Sequence, residues 1–154
     1  QFMQKTQPDF QTSYFLAFWL PVIISQTIEI ENNVGLYFLE FKEKANYYAK
    51  SFLNDEIRVR QGIAIMQNGI PNFPINEEVT LEVYERLTSY AAFVIETMIL
   101  VEQKKLPTSL SNVFLDHLYR IDCYIATELS IMLGKKRPVC DPGSPTLKDH
   151  YTIT

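Results

Sequence analysis

From Val83 to Val101 an apolar residue recurs at every third or fourth position: Val83, Leu87, Ala91, Val94, Met98 and Val101. This spacing matches the 3.6-residue turn of an α-helix with one buried face. Three other runs carry it. Phe15, Leu16, Trp19, Leu20, Ile23, Ile24, Ile28 and Ile30 form the first. Leu36, Leu39, Ala45, Tyr48, Phe52 and Leu53 form the second, and Phe114, Leu118, Ile121, Ile125, Leu129 and Met132 the last. Helices of about 20 residues span roughly 30 Å each, and four of matched length pack naturally as an antiparallel bundle. The expected class is therefore all-α, a four-helix bundle with extended arms at both ends.

Turn and capping residues set the expected boundaries. Residues 1–11 read as a polar arm and 12–134 as the bundle, with Thr12 or Ser13 capping a helix over 12–33. Pro21 predicts either a kink or a helix start. Asn32, Asn33 and Gly35 predict a stop, and a second helix spans 36–57. Residues 58–66 alternate like a strand but also suit a helical extension. The Gly- and Pro-containing stretch 67–76 reads as a loop. A third helix is capped by Asn76 and runs to about Lys104, where Leu106-Pro107 breaks it. The fourth starts near Thr108 or Ser109 and ends at Gly134, and 135–154 is a Pro-rich tail.

Composition narrows the function classes. The chain has 154 residues, enough for one core. Lys plus Arg number 14 and Asp plus Glu 18, giving a net charge of −4. This balance argues against nucleic acid and anionic lipid as partners. The apolar stretch Tyr14–Ile24 is too short for a membrane span and reads as a core helix, and no signal peptide is visible. Two cysteines are too few for a disulfide framework. Cys123 reads as a small core residue. Cys140, in the tail, is either a free thiol or an intermolecular crosslink.

Catalytic motifs are absent from the sequence: no P-loop, dinucleotide fingerprint or Gly-x-Ser-x-Gly occurs. His117 and Cys123 stand about 9 Å apart along a helix axis, too far for a hydrogen-bonded nucleophile pair. A metal site would need inward carboxylates and imidazoles. The interior candidates are Glu29 and Gln26 on the first helix, Glu96 on the third, and His117 and Asp122 on the fourth. His117 and Asp122 fall about 140° out of phase, which makes them poor joint ligands. Lys135-Lys136-Arg137 suits the negative end of the last helix. Tyr47, Tyr48, Tyr84, Tyr90, Tyr119 and Tyr124 fit either the rim of a core or an assembly interface.

Two stretches carry a resemblance. One is Leu106-Pro107-Thr108-Ser109 followed by Phe114-Leu115-Asp116-His117-Leu118-Tyr119-Arg120-Ile121-Asp122-Cys123-Tyr124. It resembles the last helix of a family of unknown function from spore-forming bacteria, labelled spore-coat-like. The family pattern there is Leu-Pro, a short gap, then Asp-His-Met-Tyr-Arg-Glu-Glu-Cys-Tyr-Tyr. The other is Phe18-Trp19-Leu20-Pro21-Val22-Ile23-Ile24-Ser25-Gln26, similar to the family's first helix, where Phe-Trp-Leu precedes an acid–His pair.

The resemblance covers about residues 14–134. It implies a ferritin-like four-helix bundle, usually present twice per chain, with inward metal ligands. Of those ligand positions His117 matches, Gln26 stands in place of a His, and Ile121 in place of an acid, with Asp122 beside it.

The sequence thus leads to a non-enzymatic structural or self-assembling subunit without a cofactor, which the resemblance associates with the bacterial spore coat. Its expected partners are further copies of itself or other coat-type proteins. Cys140 and Tyr151 in the tail are candidate assembly residues. The rival readings are a bundle binding a transition metal through His117, Glu29 and Glu96, with a redox or sensing role, and a helical binding module.

Overall fold

Each apolar run folds as helix. The computed structural model describes residues 2–69, 73–104, 110–136 and 138, with side chains from residue 11 onward except 73–76 and 104. Its elements are α1 (Phe2–Asn33), a 3₁₀ turn (Val34–Leu36), α2 (Leu39–Gln67), α3 (Phe73–Lys104) and α4 (Asn112–Leu133). No strand occurs among the described residues. The helices pair as α1 with α2 and α3 with α4, and the two hairpins close into an up-down-up-down four-helix bundle.

Several boundaries differ from those expected. The polar arm is helical: α1 begins at Phe2, because Met3, Gln4, Lys5 and Gln7 are good helix formers and polarity alone does not end a helix. Nor does α1 start at Pro21; it runs through it. Proline has no N–H for the carbonyl four residues back, so the Ala17 carbonyl loses its helical partner. Arg60 of α2 replaces that partner, its Nη2 donating to the Ala17 oxygen at 3.3 Å. The ambiguous stretch 58–66 belongs to α2. The loop expected over 67–76 is shorter, since α3 begins at Phe73, ahead of Asn76.

At α4 the cap is Ser111, whose Oγ accepts from the Phe114 N–H at 3.1 Å. Leu110 and Leu115 flank this cap at the N′ and N4 positions and both bury, which selects Ser111 over Thr108 and Ser109. The helix ends as expected on Gly134 in the left-handed region (φ 69°), with Lys135 N–H returning to the Ser130 carbonyl at 2.7 Å. Gly35 is needed for another reason: a Cβ there would lie 2.8 Å from Lys42 Cβ, so the α1–α2 turn closes only without a side chain.

The core holds Leu16, Leu20, Ile23 and Ile30 of α1, Ala45, Phe52 and Val59 of α2, Val83, Leu87 and Val94 of α3, and Leu115, Leu118, Ile125 and Leu129 of α4. Cys123 is enclosed in this core, as expected. The α3 stripe is buried as read, with Val101 at its edge. The second stripe is buried only in part: Ala45 and Phe52 are enclosed and Tyr48 packs at the margin, while Leu36 (76% exposed), Leu39 and Leu53 face outward. From Ala45 and Phe52 the buried face of α2 continues through Ala49, Asp55, Val59, Gly62 and Ile63. Small residues and one acid occupy that face, so hydrophobicity alone marks it poorly. On α4, Phe114, Ile121 and Met132 are half-buried at the margin of the core.

Candidate functional site

The proposed metal donors do not face the interior. Glu29, Glu96 and His117 are all exposed, on α1, α3 and α4 respectively. One physical reason covers all three. Each stands two positions after a buried residue (Thr27, Val94 and Leu115), and two helical steps turn a side chain about 200°. Glu96 pairs with Lys44 of α2 at 3.4 Å. Glu29 accepts from the Asn33 side chain, whose Nδ2 also donates to the Glu29 carbonyl at 2.8 Å. Among the described residues no three metal-binding side chains gather. Asp122 is fully buried, and Gln26 is half-buried with its Oε1 enclosed and without a hydrogen bond. Cys140 and Tyr151 lie outside the described residues.

Some inward polar groups fasten helices together, whereas Thr97 and Ser130 bond carbonyls of their own helices. Thr27 of α1 donates to the Ile23 carbonyl at 2.7 Å, and its Oγ1 also meets the Tyr90 hydroxyl of α3. With the threonine proton committed to Ile23, Tyr90 is the donor of that second bond. The Tyr90 ring packs against Tyr48 (centroids 5.1 Å apart) and Phe52 (5.2 Å) of α2. Burial pushes the Tyr90 phenol far above its ordinary range; the Thr27 bond opposes this, and the Asp122 carboxylate adds to it. Tyr90 therefore stays neutral and serves as a structural donor.

Between α2 and α3 a ladder of polar contacts sets the antiparallel register. Lys44 meets Glu96, the Tyr48 hydroxyl bonds Ser89 Oγ at 2.5 Å, Asp55 pairs with Arg86 at 2.8 Å, and Arg58 with Glu82 at 2.6 Å. Asp55 is 1% exposed. Burial pushes its carboxyl up to about 6 against the pull of Arg86 and Arg58. The Arg58 hydrogen bond holds half-buried Glu82 below the usual carboxylate range. Sequence reasoning missed Asp55 and Arg86. The available signal was phase: Asp55 lies three residues after Phe52 and four before Val59, both core positions.

The same two helices border an open groove of about 610 Å³ lined by Glu40, Glu43, Lys44, Tyr47, Tyr48 and Glu96, among others. Of its hydroxyls, those of Tyr48 and Ser89 bond one another.

The most unusual surface is on α1. From Phe10 to Ile28 the sequence contains no charged residue, and the outward side of that stretch carries Tyr14, Phe18 (65% exposed), Ser25 and Ile28. Phe18 packs edge-on against Trp19 at 5.1 Å, and Trp19 against Tyr124 of α4 at 5.8 Å. Phe15 closes the cluster, 6.1 Å from Tyr124. On the other flank Asn46, Arg60 and Gln67 of α2 each bond α1, through Glu31, Ala17 and Tyr14. These positions are spaced by seven or fourteen residues, and Leu53 falls in the same series with Ile57 one turn on. Both are exposed, so the apolar surface extends across the α1–α2 seam. By length and composition the segment Gln11–Leu36 could cross a membrane, yet only 33% of its apolar window is buried by the rest of the bundle. Its inner face, including Leu16, Leu20, Ile23 and Ile30, belongs to the core.

No protein-family model matches the chain, and no curated protein matches it. A solved structure, an uncharacterized protein from Bacillus cereus G9241, shares the fold with a TM-score of 0.78 over 85% of this chain at 22% identity. The match takes up 49% of that protein, so the chain spans about half its length.

Proposed function

We propose that the chain is a non-enzymatic structural subunit whose work is assembly. The observation that supports this reading is the uncovered, charge-free aromatic face of α1. Contiguous apolar surface of this kind marks protein interaction sites, and aromatic residues are enriched in them. The interior supports the same reading, since the hydrogen-bonded polar pairs there join one helix to another. The resemblance of residues 14–134 to a spore-coat-like family supports coat-type partners and a place at the spore surface.

Sedimentation velocity over a dilution series tests assembly. The expected result is a reversible increase in size with concentration. A protein that sediments as a monomer at every concentration would contradict self-assembly.

A further inference from the structure

We infer that the α1 face is covered by a second copy of this chain, docked α1 against α1 about a two-fold axis near Pro21. The inference rests on the assembly reading above and specifies its surface and its partner. Two observations carry it.

The first is size. Tyr14, Phe18, Ile28, Leu53, Ile57 and Tyr124 are each 41–65% exposed. Each offers on the order of 100 Å². With Pro21 and Ser25 between them they approach the ~800 Å² per partner of a stable dimer.

The second is charge. A two-fold interface brings every residue near its own copy or a neighbour's copy, so like charges would repel. From Phe10 to Ile28 α1 brings none, and on the α2 flank the exposed Arg60 is paired with Glu56 at 2.8 Å. The same absence disfavours a lipid surface, because helices that lie on membranes carry Lys and Arg on their polar side, and this chain has a net charge of −4.

The sequence of the face suits an antiparallel crossing. With the axis at Pro21, Tyr14 of one copy lies opposite Ile28 of the other, and Phe18 falls within one residue of Ser25, a ring beside a small residue. Cα–Cβ directions on a helix allow this large-to-small meshing.

The test compares wild type with Phe18→Glu and Ser25→Arg by sedimentation equilibrium. Both residues are exposed, and circular dichroism confirms that the variants stay helical. A Pro21→Cys, Cys140→Ser variant is oxidised in parallel. The expected result is a wild-type dimer, weakened roughly thirtyfold or more by either surface substitution, and a disulfide dimer through position 21. A dimer that survives both substitutions without crosslinking through position 21 overturns this face while leaving the assembly reading in place. A wild-type monomer overturns both. Wild type that is monomeric but floats with neutral phosphatidylcholine vesicles, where Phe18→Glu does not, overturns the second copy in favour of a membrane.

Discussion

Asp55 shows how one buried carboxylate makes the bundle sensitive to pH. Its folded pKa is raised from 3.8 to about 6, so the folded state holds the proton more tightly than the unfolded chain. Stability from this group is therefore full below about pH 4 and falls as pH rises toward 6, by about 3 kcal/mol in all. Chemical denaturation of wild type and Asp55→Asn across that range should show a difference between them that changes with this sign. A difference that is flat with pH would rule the mechanism out.

Thr27 and Tyr90 make a second residue-scale prediction. Thr27→Val leaves the Tyr90 hydroxyl buried without its acceptor and should cost about 2 kcal/mol, whereas Tyr90→Phe should cost about 1 kcal/mol. The double variant should cost less than the sum, by about 1 kcal/mol. Strict additivity would mean that the bond contributes nothing. These polar positions were hard to read from sequence because burial follows helical phase, whereas ligand chemistry follows residue type. Glu29, Glu96 and His117 had suitable chemistry at outward positions, and Asp55 lay inward among apolar neighbours.

At the scale of elements, the helices were legible wherever the apolar stripe was dense. All of α3 except its first turn, and the Gly134 end of α4, fall where the spacing places them. Boundaries were less legible where a tertiary contact compensates a local fault. Pro21 inside α1 is the clearest instance, because the residue that offsets it is Arg60, on another helix. Arg60→Ala should destabilise the bundle by about 1 kcal/mol in wild type. In a Pro21→Ala background, where the backbone N–H of residue 21 is restored to the Ala17 carbonyl, the same substitution should cost much less. Equal costs in both backgrounds, measured by urea unfolding, would show that Arg60 acts through its ion pair with Glu56 instead.

For the whole molecule, the class was readable because helical periodicity with few glycines admits little else, and the fold shared with the Bacillus cereus protein agrees with it. The candidate surface was half readable. The apolar run of α1 is plain in the sequence, and the tyrosines had an interface among their readings. Which side of α1 the bundle covers depends on how α2 and α4 seat against it, and that is a property of packing. The same packing turns Leu53 and Ile57 outward beside α1, extending a one-helix stripe into a surface.

That surface contains the chain's single tryptophan, Trp19, between Phe18 and Tyr124. Its fluorescence therefore reports on the face directly. Acrylamide quenching of Trp19 should weaken as the wild-type protein is concentrated and a second copy covers the cluster, and should stay constant for Ser25→Arg. Quenching of wild type that is equally strong at every concentration would contradict the assignment of this face to assembly.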